Sequence, residues 1–192
     1  MSSRARCGEP CAPFTWHMET FSVDGFDAHE ANARVGVWVF NNVTNAAEVK
    51  RALMDGKLDV TLLNSTSVAA MSCIELACYK ARVAASRDGL VTKALHAEVV
   101  FCLSPSRHIS ESFRRFGGDD SSTSLIVCKF DPQDADDTAL RQLIAGDVVK
   151  FADKAPHDAA TLRKWYKINE SELALGSLED AILSRIAIRD VA

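Results

Sequence analysis

No run of apolar residues in this 192-residue chain approaches the length needed to cross a bilayer. No charged-then-apolar leader opens it, so a soluble, reducing compartment is expected. Arg4 and Arg6 are too few to read as a transit peptide. Positive charge is not in excess: 22 Lys and Arg stand against 26 Asp and Glu, a net charge of -4. That excludes a protein holding nucleic acid alone through a broad basic surface, while leaving room for a local basic patch. Catalytic signatures are absent too: no Gly-x-Ser-x-Gly elbow, Walker loop, dinucleotide fingerprint or kinase set occurs. Gly117-Gly118-Asp119-Asp120 follows a predicted helix and precedes a predicted strand, the wrong order for a phosphate loop. There is no internal repeat. Cysteine is not scarce, but Cys73, Cys78, Cys102 and Cys128 lie in apolar runs, where a free thiol behaves as a small hydrophobe. Cys7-x3-Cys11, with His17 as a lone extra donor, lacks the second half of a zinc site. No metal and no cofactor is expected.

The length favours one domain with its own core. Residues 1–13 read as a loose tail and 14–192 as the domain. Phe14–Val23 alternates weakly as a first strand, and Arg34–Phe40 is a β-branched and aromatic strand. Asn45 caps a helix through Leu53. Leu58–Leu63 is a strand, and Ser67–Ser86 a long, largely buried helix. Leu95–Leu103 reads as a third strand, Arg107–Phe116 as a helix and Ser124–Phe130 as a fourth strand. Asp131–Asp137 reads as an acidic loop, followed by a helix over Thr138–Ala145 and a short strand over Val148–Phe151. Helices over Asp158–Tyr166 and from Ser177 to about Asp190 complete the chain. Elements of both kinds without strict alternation point to an α+β fold, a two-layer α/β sandwich with a mixed sheet covered by helices.

Two segments stand out. At about 3.6 residues per turn, Ile109, Phe113 and Phe116 share one arc of the Arg107–Phe116 helix, and Arg107, His108, Glu111, Arg114 and Arg115 the opposite arc. Guanidinium forks suit phosphates or carboxylates, and an ordinary solvated face with a Glu111–Arg115 pair is the plainer alternative. In the last helix Leu178, Ile182 and Ile186 form one arc, while Leu183, Ile188 and Ala181 spread beyond it. Arg185 and Arg189 lie close to that arc, where burial is costly without anionic partners. Either the helix is enclosed by its own domain or one side docks on a partner; the arginines favour a partner face, with snorkelling at a core edge as their plainer alternative. His96 and Glu98 fall on one face of the predicted Leu95–Leu103 strand together with Cys102, which leaves a small thiol- or His-dependent enzyme as a rival reading.

The run Leu103-Ser104-Pro105-Ser106-Arg107-His108-Ile109-Ser110-Glu111-Ser112, with Arg114-Arg115-Phe116-Gly117 and Asp120-Ser121-Ser122-Thr123, resembles the signature of the PRPK-binding proteins, the small kinase-binding subunits of the KEOPS (EKC) complex. Gly176-Ser177-Leu178-Glu179-Asp180-Ala181-Ile182, with Ser184-Arg185-Ile186-Ala187 and Arg189-Asp190, resembles their C-terminal helix. Leu62-Leu63-Asn64, Leu95-His96-Ala97-Glu98 and Lys164-x-Tyr166-Lys167-Ile168 match weaker positions. Gly118 departs from the family, which usually has an aliphatic residue there.

The resemblance implies a non-catalytic protein of the two-layer α/β kind. Such a protein binds the N-lobe of the PRPK-type kinase, and meets the transferase subunit indirectly through it. It supports threonylcarbamoylation of the adenosine beside the anticodon and helps recruit tRNA, by its acceptor end. Cytoplasm and nucleus are the implied locations, with no membrane contact. Leu178, Ile182, Arg185, Ile186 and Arg189 are assigned to the kinase, and Arg107, His108, Arg114 and Arg115 to tRNA. The motifs identify the family without deciding which surface meets which partner. A structural adaptor of the same fold with another protein partner is the alternative.

Overall fold

A computed structural model describes residues 18–23 and 33–190. The expected tail over 1–13 and the Cys7–Cys11 pair lie outside the described residues. In chain order the elements are β1 (Glu19–Val23), β2 (Ala33–Asn41), α1 (Ala46–Met54), β3 (Thr61–Asn64), α2 (Met71–Ser86), α3 (Leu95–Leu103), α4 (Ile109–Phe116), β4 (Leu125–Phe130), α5 (Asp134–Leu143), β5 (Asp147–Val149), α6 (Ala159–Tyr166), α7 (Glu170–Leu173) and α8 (Leu178–Ile188). The α+β class stands. In detail every strand pairing is antiparallel, where a mixed sheet is expected.

The sheet is organised around β2. One of its edges pairs β1 (Val23↔Ala33 to Glu19↔Val37) and then β5 (Val39↔Val149 to Asn41↔Asp147), while the other pairs β4 (Val35↔Phe130 to Phe40↔Leu125). β3 completes the sheet beyond β4. Period-two alternation sorts the side chains. Val35, Val37, Val39, Ile126 and Cys128 face the larger core beneath α2, α3, α6 and α8, and Trp38, Phe40, Leu125 and Val127 face a second core closed by α1 and α5. Helices therefore cover both faces, which refines the two-layer expectation. Gly36 leaves room for the Trp38 ring, since a Cβ there would sit 2.8 Å from its Cη2. The Trp38 indole N–H donates to Asp137 Oδ1 at 2.9 Å.

Two expectations are corrected. Leu95–Leu103 is a helix, not a strand. It packs against α2, α4 and β3, and Glu98 to Leu103 are all buried, so no polar face interrupts the apolar run to reveal a helical period. The acidic stretch is not all loop, because α5 begins at Asp134. Gln133 and Asp136 form a capping box, and Asp134, Asp136 and Asp137 crowd the first turn, where negative charge complements the helix dipole.

Candidate functional site

The Leu103–Gly117 run becomes the end of α3, a polar turn and α4. Within the turn the Ser104 hydroxyl accepts from Ser106 N at 3.1 Å, and the Ser106 hydroxyl donates to Glu111 at 2.5 Å. That hydrogen bond, followed by Arg115 and Arg114, holds the Glu111 carboxyl below the usual range despite some desolvation. Helix α4 is rotated from the expected orientation. Ser112 and Phe116 are buried, whereas Ile109 and Phe113 remain about two-fifths exposed, at 41% and 38%. Phe116 is clamped by Trp165 and Tyr166, and the Ser112 hydroxyl returns to His108 O at 3.0 Å.

This rotation separates the four residues assigned to RNA. Arg114 is highly exposed and, with His108, borders a shallow outer depression. Arg115 turns inward, pairs with Glu111 and lies over the Trp165 ring at 5.6 Å. Its buried Nε–H finds no acceptor among the described residues. Arg107 reaches the end of α8, donating to Arg189 O at 3.3 Å.

The C-terminal helix is likewise not arranged as expected. Ser177 and Asp180 form a capping box. Ile182 and Ile186 are fully buried in the chain's own core and Leu178 packs against it. The surplus of apolar residues thus reflects enclosure of one side of the helix, not a free docking face at Ile182 and Ile186. Ile188, at 43%, and Leu175, at 91%, are the large apolar side chains that reach solvent here. Arg185 pairs with Glu172 and donates to Tyr166 O, which compensates its partial burial. Arg189 is buried, donates to Phe101 O and Ser104 O, pairs with Asp190 and stacks on the Phe101 ring at 4.3 Å. A guanidinium over the C-terminal carbonyls of α3 is favoured by the helix dipole. Lys80 closes the end of α8 in the same way, reaching Ile186 O at 2.6 Å and Asp190 at 2.8 Å.

The residues assigned to two separate partners therefore meet. Arg107 and Arg115 from one run, and Arg185 and Arg189 from the other, line a single cleft of about 600 Å3. Its wall also contains Trp165 and Lys167, to which the sequence reading assigns no role. The Lys164-x-Tyr166-Lys167-Ile168 match contains Lys167 and leaves Trp165 as its open position, without placing either in the cleft. A second hollow, of about 630 Å3 and mostly apolar, lies between α1, β3, α3 and α4. Leu53, Met54, Leu58 and Phe113 line it, with Lys50 and Arg114 among its polar residues. At its margin Gly118 N donates to Leu62 O, and a Cβ on Gly118 would sit 2.9 Å from Leu62 and Leu125.

The thiol and histidine constellation does not assemble. Cys102 is buried and burial pushes its thiol up to about 11, far from the reactive range. Glu98 is buried and accepts from Thr92 N and Thr92 Oγ1 at 2.7 and 2.5 Å. His96 donates from Nδ1 to Asp59 at 2.9 Å and accepts weakly from Phe130 N at 3.4 Å. Each group is occupied by a structural partner. Among the described residues no three His, Cys, Asp or Glu side chains gather as a metal site.

Residues 40–190 match the family described as kinase binding protein CGI-121. The chain belongs to that family. It is 33% identical over 162 residues to the zebrafish (Danio rerio) EKC/KEOPS complex subunit TPRKB, an alignment covering 80% of this chain and 90% of that protein. It is 31% identical over 172 residues to EKC/KEOPS complex subunit cgi121 of Aspergillus fumigatus, covering 81% and 89%. With the Schizosaccharomyces pombe subunit of the same name it shares 29% over 164 residues, covering 81% and 93%. Both runs that carry the resemblance, and the cleft they form, fall inside the matched region of this CGI-121 family member.

Proposed function

We infer that this chain is a non-catalytic subunit of an EKC/KEOPS assembly. It binds the PRPK-type kinase and through it meets the transferase subunit, and it helps bring tRNA to threonylcarbamoylation beside the anticodon. It works in the cytoplasm and nucleus. The observation that carries this reading is the convergence of the two family runs on one surface, the cleft between the Ser104–Arg107 turn, α6 and α8.

The geometry favours dividing the surfaces differently from the sequence assignment. The kinase side comprises the exposed Ile188 with Arg107, Arg115, Arg185 and Arg189, because exposed apolar area bordered by arginine is the composition of a protein interface. The tRNA side comprises His108 and Arg114 with Phe113 and the apolar hollow. An unpaired acceptor end offers bases to an apolar wall and a phosphate to the exposed Arg114, with Lys50, paired to Asp120, beside it.

Co-purification with the cognate kinase tests the first half. A folded Ile188→Asp variant is expected to lose the complex that the wild type forms; full retention refutes docking beside α8. For the second half, Arg114→Glu is expected to weaken tRNA binding and flatten its salt dependence. Unchanged affinity and slope remove the RNA assignment.

A further inference from the structure

The cleft between the Ser104–Arg107 turn, α6 and α8 concentrates positive charge in a chain whose net charge is -4. Arg107, Arg115, Lys167, Arg185 and Arg189 line it, and among the described residues Glu111 is the sole carboxylate in that lining. The arginines are held rather than loose. Glu172 and Tyr166 O fix Arg185, the end of α3 and Asp190 fix Arg189, and Glu111 with the Trp165 ring fixes Arg115. A guanidinium has five N–H donors, so these contacts leave donors over, already oriented. Arg115 adds a buried Nε–H that has no acceptor among the described residues. Buried donors are normally satisfied, and an unpaired one calls for an explanation. Lys167 ends α6 with a left-handed backbone (φ 54°), and its side chain is exposed.

The ligand that fits is an anion of limited size. A nucleic-acid backbone presents one charge after another and is read by cations spread along a surface. Here the cations share one concavity, and Glu111, Glu172 and Asp190 stand against or behind them, which would repel a polyanion. A single carboxylate meets less of that repulsion than a polyanion does, and it matches a guanidinium fork. The walls include Trp165, Pro105 and Ile188, and Ile188 continues onto the exposed side of α8. Apolar surface of this kind is suited to a protein side chain and its neighbours.

We propose that this cleft receives an aspartate or glutamate side chain from an acidic segment of the protein partner. The inference rests on the kinase-partner reading above and adds the chemistry of the contact. Arg107 and Lys167 supply the outer charge that draws the segment in, and the held arginines behind them supply the fork.

The test uses the purified chain, the cognate kinase and zero-length carbodiimide coupling, which joins an amine to a carboxylate with loss of water. Mass spectrometry of the coupled complex is expected to show Lys167 linked to an Asp or Glu of the kinase. Lys167→Glu and Arg107→Glu, each shown to be folded, are expected to weaken the complex about tenfold apiece, mostly by slower association. A complex with wild-type affinity in both variants and no Lys167 linkage overturns the proposal while leaving the kinase-partner reading intact. If the wild type forms no kinase complex at all, both fall together. If the variants lose tRNA binding and keep the kinase, the cleft is an RNA site and the acidic-segment proposal is wrong.

Discussion

Helices α4 and α8 pose different problems in the sequence, α4 with one apolar arc opposite a basic one and α8 with apolar residues beyond a simple stripe and arginines beside it, and the structure answers each against its pattern. Helix α8 turns its apolar excess inward, burying Ile182 and Ile186 and giving Arg185 and Arg189 anionic and carbonyl partners within the chain. Helix α4 buries a serine, Ser112, beside Phe116, and leaves Ile109 and Phe113 at the surface. The difference lies in what surrounds them. An arginine near an apolar arc is tolerated inside when carbonyls at a helix end and a carboxylate are within reach, as they are for Arg189. A serine is tolerated inside when it bonds back to its own helix, as Ser112 does to His108 O. Hydrophobic count alone therefore does not identify an interaction face.

The largest expected effect would invert that comparison. Ile182→Asp places a carboxylate in the larger core without a cationic partner, and a loss of about 4 kcal/mol or more is expected. Urea denaturation should show the variant largely unfolded. Ile188→Asp, on the same helix but exposed, should stay within about 0.5 kcal/mol of wild type. If Ile182→Asp were folded and stable, the enclosed position of α8 would be wrong.

Next comes Arg189→Met, which keeps much of the side-chain volume and removes the guanidinium. The carbonyls of Phe101 and Ser104 lose their donor, and a loss of about 2–3 kcal/mol is expected. A change near zero would mean that Arg189 serves a partner more than the fold. Between the helices the contrast sharpens with Phe113→Ala. Phe113 is well exposed, so truncation should cost less than about 1 kcal/mol, while lowering tRNA affinity if the apolar hollow holds the acceptor end. A thermal melt alongside a binding titration separates the two effects.

Much of the fold was legible because β-branched runs and caps are local signals. β2 followed from its β-branched and aromatic run and β4 from a short apolar run, and the starts of α6 and α8 from Asp158 and Ser177. α3 was not, since a helix enclosed by α2, α4 and β3 carries no polar face to reveal its period. The beginning of α5 was hidden because Asp134, Asp136 and Asp137 suit a loop and a helix N-terminus equally well. For the site, the two runs identified the family, but spacing along a helix does not fix its rotation. That is why Arg114 and Arg115, adjacent in sequence, were placed together and prove to face different surfaces. Lys167 and Trp165 enter the cleft through tertiary packing, which no local pattern reports.

The smallest effect concerns a histidine that both regions leave alone. Burial is the main influence on His96 and lowers its pKa from the ordinary 6.5, although Asp59 pulls the other way. The geometry supports the neutral ring: Nδ1–H faces Asp59, and Nε2 accepts from Phe130 N, which a second proton would prevent. The sign follows from linkage. Between the lowered folded value and 6.5, the unfolded chain binds more protons at this site than the folded chain does, so stability rises with pH through that window. Acidification from 6.5 downward should therefore erode stability, and the erosion due to His96 should be complete once pH is below the folded value. His96→Asn keeps a donor toward Asp59 but cannot titrate. Its urea midpoint should lie below that of the wild type near neutrality, and the gap should close as pH falls through the window. A gap that widened on acidification would mean that the Asp59 ion pair dominates and that His96 is charged in the folded protein.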